Sequence, residues 1–116
     1  MPADCLFCKI GAGEIPATVV HETSRTIAFR DIDPKAPVHV LVIPKEHYET
    51  IGDLALADPQ LAGEVCATAG KVAELEGVVK SGYRFMFNSG PDAGQEVFHV
   101  HGHLFAGRPL GPMLAR

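Results

Sequence analysis

The stretch Gln95-Glu96-Val97-Phe98-His99-Val100-His101-Gly102-His103-Leu104-Phe105 carries three of the chain's six histidines at alternate positions. Alternation is the period of a β-strand, in which every second side chain points to the same face and neighbours on that face lie roughly 6 to 7 Å apart. The spacing predicts a strand over residues 97–105 that presents His99, His101 and His103 as one row of imidazoles. An imidazole titrates near a pKa of about 6.5, so at neutral pH much of it is free base with a lone pair available for attack on phosphorus. Neighbouring histidines can hold such a nucleophile in one tautomer and stabilise the charged intermediate.

The residues leading into this strand supply donors. Residues 89–94 form a glycine-rich loop after a predicted strand at 83–88, and glycine lets backbone N–H groups approach an anion closely. Further upstream, Asp58 reads as an N-cap and Pro59 suits the first helical position. Leu61, Val65, Ala69, Val72 and Ala73 then recur at helical spacing up to about Glu76, with Gly77 as the stop. Residues 38–43 are the most apolar segment and predict a central strand ended by Pro44, with His39 on the face of Leu41 and Ile43. Asp33-Pro34-Lys35-Ala36-Pro37 is a turn, because each proline fixes φ and turns its predecessor away from helix. Residues 18–22 and 26–32 read as a hairpin around Thr23-Ser24-Arg25, and residues 5–13 as a short helix or turn. The order ββ, β, α, ββ predicts an α+β fold, an antiparallel sheet covered by one long helix.

Composition narrows the function classes. A length of 116 residues with 47% hydrophobic content fits one domain over 1–116. Ten Lys and Arg against fourteen Asp and Glu leave a net charge of −4 with no basic block. A nucleic-acid polymer is therefore excluded as the expected partner, while a single nucleotide is not. No basic and apolar leader opens the chain and no apolar run reaches 18 residues, so no membrane association is expected and the expected location is the cytoplasm. Of the three cysteines, Cys5-x-x-Cys8 is too closely spaced for a secreted disulfide framework and reads as a metal or redox pair. Cys66, within the helical pattern, and His21 are assigned no role.

The run His-apolar-His-x-His-apolar-apolar, flanked by Gly94-Gln95 and by Gly107-Arg108-Pro109-Leu110-Gly111-Pro112-Met113, resembles the signature of the histidine triad (HIT) superfamily, specifically its nucleotide-binding Hint branch. The likeness extends in order over Cys5–Ile10, Gly13-Glu14-Ile15-Pro16, Phe29-Arg30-Asp31-Ile32, the segment from Ala36 to His47, and Asn88. It implies the HIT fold, with a five-stranded antiparallel sheet per chain, one long helix and a short N-terminal helix. It also implies a homodimer whose two sheets join edge to edge.

For chemistry, the resemblance implies that His101 is the nucleophile taking a purine nucleoside monophosphate of the AMP or GMP type from its substrate, and that water then hydrolyses the nucleotidyl-histidine. His103 and His39 would support the phosphate or orient His101, and His99 would act through placement of the strand. Asp31 matches the carboxylate that holds the ribose hydroxyls. Asn88, Gln95, Glu96 and Val97 match the ribose and phosphate contacts, and Leu6, Phe7, Ile15, Phe29 and Ile32 match the base pocket. Relatives with the same cysteine pair imply a structural zinc on Cys5, Cys8, His47 and His99.

The implied activity is hydrolysis of nucleoside phosphoramidates. The alternatives are a dinucleoside polyphosphate hydrolase of the same superfamily, or a non-catalytic, zinc-stabilised nucleotide-binding or interaction module. Two positions depart from the pattern. Glu96 stands where some relatives have serine, and Gly102 replaces an apolar residue, from which lost packing and a more flexible strand are expected.

Overall fold

The computed structural model describes residues 4–114. In chain order it contains α1 (Leu6–Gly11), β1 (Val19–Glu22), β2 (Thr26–Arg30), β3 (Val38–Pro44), α2 (Ile51–Ala57), α3 (Pro59–Leu75), β4 (Tyr83–Phe87) and β5 (Gly102–Ala106). The five strands form one antiparallel sheet in the order β1-β2-β3-β5-β4. This is the α+β architecture that the sequence predicts, a five-stranded antiparallel sheet with one long helix and a short N-terminal helix.

Local chemistry sets the turns and ends. Thr23 Oγ1 accepts from the N–H groups of Arg25 and Thr26 and lies 2.7 Å from Thr26 Oγ1, which closes the β1–β2 hairpin. Asp58 Oδ1 accepts from Leu61 N–H at 3.1 Å and caps α3, Pro59 occupies its first turn, and Gly77 ends it with φ of +70°. The helix α2 is absent from the sequence-based expectation. Leu54 is its one buried residue, so no apolar stripe marks it, and its start is fixed by Thr50 Oγ1 accepting from Asp53 N–H.

The central strand divides the interior into two layers. Val40 and Val42 face one side, where Leu61, Val65, Ala69, Val72 and Ala73 of α3 meet Ala28, Leu104 and Ala106. Leu41 and Ile43 face the other, with Ile27, Phe29 and the α1 residues Phe7 and Ile10. Strand register pairs Leu41 with His103 and His39 with Phe105. Directly paired residues share a face. His39 and His103 therefore stand together on the side opposite α3.

Two expectations change. The histidine strand starts at Gly102 rather than 97, so only His103 of the three alternate histidines lies on β5. The ladder stops because β3 ends at Pro44, which has no N–H to offer. Beyond it Val100 N–H bonds instead to Tyr48 O at 2.8 Å. The lost packing expected at Gly102 is also corrected. A Cβ there would overlap Phe85 Cζ and come within 3.1 Å of Phe87 Cε1, so neighbouring rings already fill that space.

Candidate functional site

A cavity of about 390 Å³ opens on the face opposite α3, between the ends of β2, β3 and β5, the loop after β4, and α1. His39 enters it from β3 and His103 from β5. His101 comes from the residue just before β5, and Asp31 from just past β2, where its N–H bonds to His39 O at 3.0 Å.

The hydrogen bonds assign the tautomers. His101 Nδ1 lies 2.7 Å from the backbone carbonyl of His99, which can only accept, so Nδ1 carries the proton and Nε2 keeps its lone pair. His39 Nδ1 accepts from Lys35 N–H at 3.2 Å, so the His39 proton sits on Nε2. That nitrogen donates to His103 Nδ1 at 3.0 Å, which leaves the His103 proton on its own Nε2. The result is an ordered line of donors from a backbone amide through two imidazoles. Asp31 Oδ2, 3.6 Å from His39 Nε2, stands beside the line, and its Oδ1 accepts from Asp33 N–H.

Burial keeps these rings neutral. It pushes His39 and His101 below the ordinary imidazole range, in each case against a smaller opposing pull from the Asp31 carboxylate. His103 falls to about 4, through burial first and then the neighbouring charges that His101 and His39 would carry. A neutral His101 is the form that can attack an electrophile. His101 and His103 rings are 5.0 Å apart, and Phe7 stands edge-on to His101 at the same 5.0 Å separation.

Of the remaining residues singled out in the sequence, Phe7, Asn88, Glu96 and Val97 line this cavity. Gln95 is buried and its amide braces the loop. Its Oε1 accepts from Gly90 N–H at 2.8 Å, while Nε2 donates to Glu49 O at 2.7 Å and Val97 O at 3.1 Å. Phe29 lies one layer deeper, edge-on to Phe7 at 5.7 Å. Leu6 and Ile15 border other cavities, and Ile32 is fully exposed. Lys35, Asp33, Leu41 and Phe105 also line the site and were not singled out in the sequence. Lys35 acts on His39 through its backbone N–H, which no side-chain pattern announces.

Beyond His99 lies a second cluster. The ligand atoms of Cys5, Cys8, His47 and His99 all fall within 4.8 Å of one another. His99 Nδ1 is 3.4 Å from Cys5 Sγ and 3.5 Å from Cys8 Sγ, and His47 Nδ1 is 3.4 Å from Cys8 Sγ. The buried His99 ring donates from Nε2 to Pro44 O at 2.8 Å, so the nitrogen turned to the sulfurs is the one with a free lone pair. A backbone carbonyl fixing a ligand imidazole in this way is the usual outer support of a metal site. Burial, then the adjoining Cys5, pushes the Cys8 thiol up to about 11 in the absence of a cation. A cation reverses that preference and releases the proton. The four side chains therefore fit a metal ion. Asp31, His39 and His103 also converge, but the Lys35 N–H forces the His39 proton onto the very nitrogen a metal would need.

A profile of the HIT domain matches residues 12–110. The chain belongs to the HIT family. It is 44% identical to the purine nucleoside phosphoramidase of Escherichia coli K12 over 115 residues, covering 99% of this chain and 97% of that protein. A HIT family hydrolase from Legionella pneumophila is 50% identical, with a TM-score of 0.89 over 93% of this chain and 96% of its own. A histidine triad protein from Clostridium difficile is 40% identical with a TM-score of 0.93, covering 98% of this chain and 99% of its own.

Proposed function

We propose that the protein hydrolyses purine nucleoside phosphoramidates, releasing a nucleoside monophosphate through a nucleotidyl-His101 intermediate. The observation that carries this reading is the 2.7 Å bond from His101 Nδ1–H to His99 O, which leaves Nε2 as a neutral nucleophile at the cavity. The similarity to a purine nucleoside phosphoramidase over nearly the whole chain supports the substrate class.

The steps follow from the tautomers. His101 Nε2 attacks the α-phosphorus, its bond to phosphorus forms, and the bond to the leaving nitrogen breaks. His103 Nε2–H, held by His39, donates to a phosphoryl oxygen as negative charge builds there. The departing amine needs a proton. The bound phosphate raises the proton affinity of the His39 and His103 pair, which then supplies it. Water attacks the nucleotidyl-histidine, its proton returns to the His39 and His103 pair, the bond from phosphorus to His101 Nε2 breaks, and nucleoside monophosphate leaves.

Asp31 and Asn88 bind the ribose, and the backbone at Glu96 and Val97 approaches the phosphate. Gln95 acts by bracing that loop. Phe7, with Phe29 behind it, offers the flat apolar wall for the base, whereas Leu6, Ile15 and Ile32 lie outside this cavity. The Cys2His2 donor set suits zinc, which takes four such ligands tetrahedrally and leaves no open position for substrate. When bound, zinc supplies structural cross-linking between α1, the end of β3 and the strand-entry segment. Free thiols fit a reducing compartment such as the cytoplasm.

A homodimer joins through β4, an edge strand with unpaired backbone groups, near which Leu75, Val79 and Tyr83 are exposed. Sedimentation gives twice the chain mass if this holds.

The deciding measurement is AMP release from adenosine 5′-phosphoramidate by the wild type and His101→Ala, with AMP binding followed in both. Turnover only in the wild type, with binding in both, is the expected result. Binding without turnover in either makes the chain a nucleotide-binding module. Turnover of a dinucleoside polyphosphate alone moves the reaction to a P–O–P bond.

A further inference from the structure

Cys5-x-x-Cys8 is also a dithiol that can close on itself, and the fold presents it for that reaction. Cys5 caps the N-terminus of α1, and the Cys8 N–H points at Cys5 Sγ from 3.3 Å. The two sulfurs fall within the 4.8 Å span of the cluster, so a bond of about 2.05 Å needs only a short approach. Their accessibility differs. Cys5 is half-buried and borders a cavity of about 530 Å³, whereas Cys8 is buried behind it. A small oxidant meets Cys5 first and finds Cys8 beside it to complete the reaction. Asp4, Glu49 and Glu96 line the same cavity, where a departing cation would meet carboxylates.

One residue of the cluster, His99, is bonded directly to the catalytic cavity's His101. The His99 ring turns Nδ1 to the sulfurs, while the His99 carbonyl holds the proton of His101 Nδ1. Phe7, between Cys5 and Cys8 on α1, packs edge-on against both rings, at 6.1 Å from His99 and 5.0 Å from His101. A change at the sulfurs therefore reaches the nucleophile through both the backbone and the Phe7 ring.

We propose that Cys5 and Cys8 are a hydroperoxide-oxidisable pair whose disulfide expels the metal ion, frees His99, and disorders His101 so that hydrolysis stops. The catalytic half rests on the function proposed above. In the first step the Cys5 thiolate attacks one peroxide oxygen, the O–O bond breaks, and the other oxygen leaves as alcohol after taking a proton. Cys5 is then a sulfenic acid. The Cys8 thiolate attacks its sulfur, the S–S bond forms, and hydroxide leaves as water after taking a second proton. Two thiolates have lost two electrons to the peroxide, and the cation departs with its charge unchanged. The buried cluster beneath α3 contains no residue of α1, so the sheet and long helix keep their packing through the change.

The test uses the full chain with Cys66→Ser, an exposed α3 position outside both clusters, loaded with zinc and treated with tert-butyl hydroperoxide. Released zinc, peptide masses, far-UV circular dichroism, the His101 Nδ1–H resonance and AMP release are followed together. The expected result is one Cys5–Cys8 disulfide for each zinc released and a fall in AMP release of about tenfold or more. The His101 resonance disappears, the circular dichroism is unchanged, and reductant with added zinc restores the starting state. Zinc retained after peroxide, a disulfide without zinc release, or collapse of the circular dichroism overturns the proposal. If the starting protein turns nothing over, the function reading fails separately. The His101 resonance then decides the coupling, and its persistence after zinc loss overturns it.

Discussion

The ring of Phe85 occupies the volume that a side chain at Gly102 would need. The two sit on adjacent antiparallel strands, where Phe85 pairs with Leu104 and Phe87 with Gly102. Both phenylalanines pack against the core beneath α3. Gly102→Leu should therefore overpack this corner and cost roughly 1 to 3 kcal/mol. Combining it with Phe85→Ala should recover part of that loss, because the two changes are sterically complementary. Urea denaturation of the two single variants and the double variant measures the coupling. Additive losses would show that the space is not shared.

Removing His39 should damage catalysis through His103. Without the donor at His39 Nε2, the tautomer of His103 is no longer fixed, and His39→Ala should lower kcat by about 10² or more. His101→Ala, which removes the proposed nucleophile, should fall much further while still binding AMP. Single-turnover kinetics with a phosphoramidate separates the two effects.

Stability and activity should both decline on the acid side. The folded-state pKa of His103 is depressed from its ordinary value to about 4, and His39 is shifted in the same direction by burial. The unfolded chain therefore takes up these protons first as pH falls. The contribution to stability is present above about 6.5 and is lost progressively towards about 4. A lower Tm at pH 5 than at pH 7.5 is expected, and kcat/KM should hold from neutral pH down to below the ordinary histidine range. An acid limb centred at 6.5 would mean that these rings are not protected by burial.

Metal binding should stabilise the fold and release protons. With free zinc at 100 times its dissociation constant, mass action gives about 2.7 kcal/mol. The Cys8 thiol, held protonated without a cation, must lose its proton on loading. Calorimetry in buffers of different ionisation enthalpy counts the protons. Cys8→Ser should abolish most of the zinc-dependent rise in Tm.

Gln95→Leu tests the loop brace. The change removes the partner of Gly90 N–H and of the Glu49 and Val97 carbonyls. Because Gly90 and Val97 are half-buried and Glu49 is exposed, water takes over part of the loss and the total cost should be about 1 to 3 kcal/mol. KM should rise more than kcat falls, because the substituted side chain shapes the binding loop without touching the reacting atoms.

Much of this protein was determined by local sequence. The β1–β2 hairpin, β3 and α3 follow from patterns a few residues long: the Thr23 turn, the apolar run ended by Pro44, and the Asp58-Pro59 start with its three- and four-residue apolar spacing. The chemical identity of the site was also legible, because alternate histidines and a cysteine pair are rare side-chain choices at fixed spacing. What the tertiary structure decided is how those histidines divide. Period-two spacing predicts one face for His99, His101 and His103, but the β5 ladder on β3 begins only at Gly102, which leaves His99 and His101 outside it. His99 then turns its ring to Cys5, Cys8 and His47, and its carbonyl to His101. The roles of Lys35 N–H and Pro44 O were likewise hidden, since every residue but proline carries an amide and every residue a carbonyl. Only long-range packing selects which of these groups meets an imidazole, and that choice sets the tautomer on which the proposed chemistry depends.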